Sequence, residues 1–330
     1  MISSIWKGTL VILASALLVG SLAGAAVAAP TGPTGAPTAD PAAFRLTVAG
    51  TYRYHGRGYV LPKASLDVRG ATKADLAGQR VALEIYRSGK RVAVKRVELQ
   101  EAGGKSVFHT SWRATRKGSY RLRIALSDEQ QQVAERGHSV RITAVRTNIH
   151  RGSRGVAVRV FQHKLRSLHY VAPLNGRFDA ATGRGFMAFR KVTGLSRNYS
   201  AGSSVTRKLA AGRGAFRLRY PGAGRHVEVS IRRQVMVFAS GGKVTRIYHV
   251  STGKPSTPTV RGTYRVYMKD GGTNAKGMVK SSYFTGGYAI HGYKDVPPYA
   301  ASHGCVRVPV PSASSIFGWV HMGTRIDTYY

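Results

Sequence analysis

The period of the apolar residues changes twice along this chain, and each change marks a different kind of structure. From residue 44 to about 146, short runs place apolar side chains at every second position: Ala64-Ser65-Leu66-Asp67-Val68, Val81-Ala82-Leu83-Glu84-Ile85 and Tyr120-Arg121-Leu122-Arg123-Ile124. Period two belongs to strands with one buried face. Turn signals separate the runs at Ser88-Gly89-Lys90, Gly103-Gly104 and Lys117-Gly118. Strands at this spacing predict a small immunoglobulin-like β-sandwich over residues 44–147, with Trp112 packed between its sheets.

Residues 148–215 follow a helical period. Val156, Val160, Leu165 and Leu168 recur at that spacing, as do Phe186, Phe189 and Val192. A turn at Leu174-Asn175-Gly176-Arg177-Phe178 separates the two, and Ser204 is placed to cap a third short helix holding Val205 and Leu209. Residues 225–330 return to strands. Val227, Val229 and Ile231 alternate, Val235-Met236-Val237-Phe238 continues, and Ser240-Gly241-Gly242 forms a hairpin turn. Further strands are expected at 263–268 and 324–330. Helical periodicity is thin here, so the segment reads as a compact, mostly-β domain. The fold class is therefore multidomain: sandwich, small helical domain, mostly-β domain.

The N-terminus adds a compartment. Lys7 precedes an apolar stretch from Leu10 to Val19, and small residues lead to Ala26-Val27-Ala28, an A-x-A cleavage site. That is the layout of a secretory signal peptide over residues 1–28. An uncleaved anchor is the rival reading, weakened by Gly20, Ser21 and Gly24. Membrane contact is thus expected only transiently, through the signal segment. Residues 29–43 are Pro, Thr, Gly and Ala with few large apolar side chains, as in a mobile linker. The chain is expected to be secreted and wall-associated.

Charge then selects the partner. The 330 residues carry 51 Lys or Arg against 14 Asp or Glu, a formal net charge of +37. By segment the charge is +1 for residues 1–28, +12 up to residue 150, +14 for 151–224 and +10 beyond. Such a balance calls for an acidic partner. Export removes nucleic acid and leaves anionic cell-wall polymers.

The single cysteine, Cys305, excludes internal disulfides, zinc ribbons and iron–sulfur clusters. An unpaired thiol in an exported chain is exposed to oxidation and so is suspected of chemistry. A free thiol near neutral pH is only slightly ionised, so a cysteine nucleophile needs a base or cation beside it. His303 is two residues away, on the same face if the segment is extended. His291 is fourteen residues away, and Pro297-Pro298 forces the intervening chain to loop. Gly304 removes a Cβ beside the nucleophile and lets backbone N–H groups approach a reacting carbonyl.

Two resemblances attach to these residues. Residues 151–212 resemble the peptidoglycan-binding three-helix module, through Gly152-x-x-Gly155-x-x-Val158, Gln162-x-x-Leu165, Gly176-x-Phe178, Thr182 and Phe189 closing on Gly194-Leu195. Ile290-His291-Gly292, nine residues, then Ser302-His303-Gly304-Cys305-Val306-Arg307 resembles the active-site signature of the L,D-transpeptidases. The likeness extends back through Val250-Ser251-Thr252-Gly253-Lys254, Thr257-Pro258, Gly262-Thr263-Tyr264 and Tyr283-Phe284. It implies a cysteine acyltransferase acting on peptidoglycan stem peptides: Cys305 attacks the carbonyl before a terminal D-alanine, and a second stem's amine resolves the thioester into a 3→3 cross-link. Carried over by position, His291 is the base, the carbonyl of Gly292 holds its imidazole, and Ser302 and His303 line the site. The amides of His303, Gly304 and Cys305 supply the oxyanion donors. Arg307, which stands where many members have Asn, suits a carboxylate, and Tyr283, Phe284 and Tyr288 are candidates for the substrate groove. The resemblance also implies acylation of Cys305 by carbapenems.

Other readings of the same residues compete. A zinc site from His291, His303 and Cys305 would suit a hydrolase, yet only Glu228, Asp270, Asp295 and Asp327 are on offer as its base. The same shortage disfavours a muramidase. His163, His169, His226, His249 and His321 read as structural. An L,D-carboxypeptidase and a non-catalytic wall-binding protein are the remaining alternatives. No cofactor or metal is expected, because a Cys–His pair with backbone donors suffices for acyl transfer.

Overall fold

The computed structural model describes residues 44–126 and 139–330; the expected signal peptide and linker lie outside the described residues. The first two sheets are built by the period-two runs. One orders β1 (Arg45–Ala49), β4 (Ser65–Thr72), β8 (Ser106–Arg113) and β7 (Gln100–Glu101), all antiparallel. The other orders β2 (Tyr52–Tyr54), β3 (Arg57–Val60), β10 (Val140–Ala144), β9 (Gly118–Leu126), β5 (Arg80–Arg87) and β6 (Lys90–Glu98), with β3 and β10 parallel. Leu66 and Val68 of the first share one core with Val81, Leu83, Ile85, Leu122 and Ile124 of the second. Trp112 is only half-buried; it lies edge-on against Tyr120 at 5.0 Å, at the margin of that core.

Three helices follow: α1 (Val156–Ser167), α2 (Ala180–Val192) and α3 (Ser203–Ala210). Val158, Val160, Phe161 and Leu165 of α1 meet Phe186 and Phe189 of α2 and Val205 and Leu209 of α3, as the spacing requires. Asp179 caps α2 by accepting the Thr182 N–H at 2.8 Å. The cap expected at Ser204 is corrected: α3 starts two residues earlier, behind Gly202, with no side-chain cap.

The C-terminal part holds two sheets. Strands β13 (Lys243–His249), β12 (Val235–Ser240), β11 (His226–Ser230), β19 (Arg325–Tyr329) and β14 (Gly262–Arg265) form one, in that order. Strands β15 (Met268–Thr273), β16 (Val279–Thr285), β17 (Tyr288–Tyr293) and β18 (Val306–Pro309) form the other. The β12–β13 hairpin turns on Gly241 (φ 55°) and Gly242 (φ 72°), the paired left-handed residues of a tight two-residue hairpin. The continuous apolar run 235–238 is buried on both faces. Val235 and Val237 pack with Ile247 into the helical core, while Met236 and Phe238 pack with Val227 and Val229 into a second core between the two sheets.

Two expectations for this segment are revised. The strand expected at 263–268 is two strands, β14 and β15, belonging to different sheets and joined through buried Val266. A fourth helix, α4 (Val310–Trp319), lies where helical periodicity is thin. Only Ala313 and Ile316 of α4 are buried, one i,i+3 pair, too little for a periodic signal.

The helices are tied to the five-stranded sheet by backbone and by one buried amine. Ile247 N–H donates to the His169 carbonyl at 2.8 Å and Val171 N–H to the Ile247 carbonyl at 3.1 Å, extending the edge of β13. Lys191 Nζ, buried at 4% exposure, donates to the carbonyls of Gln234 (3.0 Å) and Val250 (2.8 Å) and meets His249 Nδ1 at 2.7 Å. His249 Nε2–H in turn donates to the Val296 carbonyl at 3.0 Å.

Candidate active site

Strands β17 and β18 run parallel, with His291 opposite Arg307 and Ile290 opposite Val306. Alternation turns Ile290, Val306 and Val308 into the second core. Cys305, Arg307, His291 and Tyr293 are left on the other face, around a cavity of about 400 Å³. Parallel strands need a crossover, and residues 294–305 supply it, with Pro297-Pro298 keeping it out of regular structure. A loop thus brings residues fourteen apart in sequence onto adjacent strands.

The crossover is fixed from below by residues 250–259. Ser302 N–H donates to the Thr252 carbonyl at 3.0 Å, Lys254 N–H to the Ser302 carbonyl at 2.9 Å, and Ser251 and Arg307 exchange backbone bonds at 3.0 and 2.9 Å. Thr259 Oγ1 accepts from Gly253 N–H at 2.9 Å and donates to the Gly304 carbonyl at 2.6 Å. Gly253 is required here: a Cβ would lie 2.3 Å from the Thr257 carbonyl oxygen.

Ser302 braces the turn that carries Cys305. Its hydroxyl, 1% exposed as a residue, donates to the Cys305 carbonyl at 2.6 Å and accepts from Gly304 N–H at 3.1 Å. The expected oxyanion donors are therefore corrected at one position: the Gly304 amide is already engaged. Among the described residues, the amides of His303 and Cys305 have no protein acceptor. Gly304 is held at φ +113°, and a Cβ there would lie 1.9 Å from the Tyr288 ring. That left-handed turn also ends the extended segment on which His303 was expected to share a face with Cys305; His303 is exposed at the cavity edge.

His291 is 3% exposed, and its Nδ1 lies 3.0 Å from the Gly292 carbonyl. A carbonyl only accepts, so Nδ1 carries the proton and Nε2 of the neutral ring keeps its lone pair. Gly292 packs against Ala313, whose Cβ would be 2.8 Å from any Cβ placed there. Burial pushes the His291 imidazole below its usual range; the Gly292 carbonyl opposes this and the Arg307 charge adds to it. Burial pushes the Cys305 thiol up, against the Ala289 N–H and the charges of Arg307 and Lys276. The sulfur accepts the Ala289 N–H at 3.4 Å and lies 3.9 Å from the Gly287 carbonyl. Both shifts favour the neutral forms, a thiol and a free base lining one cavity. Arg307 lies over the Tyr293 ring at 4.2 Å, with Tyr293 edge-on to His291 at 5.6 Å.

The groove aromatics divide. Tyr288 lines the cavity. Phe284 does not: it is 3% exposed, in the second core against Tyr264, because its side of β16 faces inward. Tyr283 lies outside the cavity too, its hydroxyl 3.4 Å from the Asn274 amide. Sequence reasoning missed Tyr293, Lys276, Met278 and the Gly286-Gly287 turn in the cavity wall. Tyr293 was within reach, two residues beyond His291 on the same strand face. Among the described residues no three His, Cys, Asp or Glu side chains converge as a metal-ligand set, His291, His303 and Cys305 included.

Residues 224–327 match the family model of the L,D-transpeptidase catalytic domain. The solved L,D-transpeptidase from Xylanimonas cellulosilytica is 32% identical over 56% of this chain and 98% of that one, with a TM-score of 0.52. The chain belongs to the L,D-transpeptidase family. The L,D-transpeptidase from Stackebrandtia nassauensis is 19% identical over 56% of this chain and 96% of that one (TM-score 0.36). The catalytic domain of the E. faecium L,D-transpeptidase is 26% identical over 32% and 96% (TM-score 0.28). No curated protein sequence matches significantly.

Proposed function

We propose that this chain is an exported peptidoglycan L,D-transpeptidase that forms 3→3 cross-links through a Cys305 thioester. The carrying observation is the His291 imidazole, its Nδ1 at 3.0 Å from the Gly292 carbonyl, lining one cavity with Cys305. In the first half-reaction His291 Nε2 takes the Cys305 proton as sulfur attacks the carbonyl between the diamino acid's L-centre and the terminal D-alanine. The His303 and Cys305 amides face the developing oxyanion. The C–N bond breaks, His291 returns the proton to the leaving amine, and D-alanine departs. In the second half, the side-chain amine of another stem attacks the thioester. Its proton passes to His291, the C–S bond breaks, and the thiol is restored.

The remaining modules fit this role. The two N-terminal sheets serve as an immunoglobulin-like spacer between membrane and wall, following the signal peptide and linker. The three helices serve as the peptidoglycan-binding module, and their +14 suits anionic wall polymers. Incubation with disaccharide-tetrapeptides tests the proposal: wild type should release D-alanine and yield 3→3 linked dimers by mass spectrometry, and Cys305→Ala neither. Release of D-alanine with water as the sole acceptor would make it a carboxypeptidase and overturn the cross-linking claim.

A further inference from the structure

The mechanism above leaves unused a second cavity of about 400 Å³, at the seam between the helices and the catalytic sheets. Arg184 of α2 and Tyr199 wall it on one side, and His249, Tyr293 and Lys294 on the other. Tyr293 also lines the Cys305 cavity, so one residue borders both. Its neighbours on the catalytic side are His291, edge-on at 5.6 Å, and the Arg307 guanidinium at 4.2 Å.

The charge in this seam lacks a partner. Arg184 is half-buried, and among the described residues it has no hydrogen-bond or ion-pair partner. The carboxylate whose field it feels, Asp179, is already engaged by the Thr182 N–H at 2.8 Å and the Asn175 amide at 3.0 Å. His249 contributes no positive charge near neutral pH, since burial and the Lys191 contact push its imidazole down to about 3. Arg151 and Lys294 on the rim add to the positive sign. A half-buried guanidinium, with its donors free of protein partners and tyrosine walls beside it, matches a carboxylate carried on an amphipathic body. Clefts between domains are where such ligands are commonly held.

We infer that this seam is a second subsite, holding through Arg184 a carboxylate of the peptidoglycan strand outside the reacting bond. Its polymer identity rests on the transpeptidase reading; the carboxylate chemistry rests on the seam itself. Binding energy collected here would orient the strand at Cys305 across Tyr293. A binding cycle in the Cys305→Ala protein, which cannot turn over, tests it. The probes are a soluble disaccharide-tetrapeptide and the same compound with its carboxylates amidated, measured calorimetrically on the full chain. Arg184→Gln should weaken binding of the acidic probe about tenfold and leave the amidated probe unchanged. Val310→Trp, which fills the cavity from the start of α4 without touching the charge, should weaken both probes. Acidic-probe binding as in wild type for both variants, or equal weakening of both probes by Arg184→Gln, overturns the subsite. Failure of Cys305 to acylate would overturn the reaction reading and leave this cycle intact.

Discussion

Burial moves the Cys305 thiol and the His291 imidazole in opposite directions, and both moves favour the neutral form. In the proposed mechanism the nucleophile is therefore made at the moment of attack, by proton transfer, instead of standing as a thiolate–imidazolium pair. The sign of the pH dependence follows. In the proposed mechanism His291 works only when neutral, and burial holds its pKa below the ordinary 6.5, so the acid limb of kcat/KM should be centred below pH 6.5. An acid limb centred at or above 6.5 in the pH–rate profile would contradict this. Substituting His291→Gln should lower kcat by about 10²–10⁴ with the fold retained by circular dichroism.

At the scale of elements, the site depends on the crossover between β17 and β18 being held from below. Ser302 is the joint, bonded to the Cys305 carbonyl and the Gly304 amide from a buried position. Ser302→Ala leaves that amide without a partner, at a cost of about 1–3 kcal/mol. We expect a fall in melting temperature together with a kcat loss and little change in KM, measured on the same variant. A KM effect alone would instead make Ser302 a substrate contact. This division between brace and contact was not legible in the sequence, because a motif serine reads the same whether its hydroxyl bonds its own turn or faces the substrate. What was legible were local patterns: period-two strands such as β4 and β5, the Gly241-Gly242 hairpin, and the helical stripes of α1 and α2. Helix α4 was hidden because it buries one residue pair, and Phe284 was misplaced because alternation fixes a strand's faces but not which face meets the core.

At the scale of the whole molecule, the helices and the five-stranded sheet share one hydrophobic core and the buried Lys191–His249 contact. Burial pushes Lys191 down to about 6 from 10.5, although three acceptors suit its ammonium. Between those values the unfolded chain binds a proton that the folded protein releases. Stability should therefore rise as pH climbs from about 6 towards 10.5, and fall as pH returns. His249, pushed down to about 3, adds a loss as pH falls below 6.5. Urea denaturation at pH 6.5 and 9.5 should show wild type gaining stability and Lys191→Met much less; equal slopes would mean that the amine stays charged in the fold.

The central claim is that Cys305, activated by a neutral His291, is an acyl acceptor. Intact-mass measurement after incubation with a carbapenem tests it most directly. Wild type should gain the mass of one acyl group, mapped to Cys305. The His291→Gln protein should acquire it far more slowly, and Cys305→Ala should acquire none. A wild-type protein that stays unmodified, or an adduct that forms as fast without His291, would contradict the account.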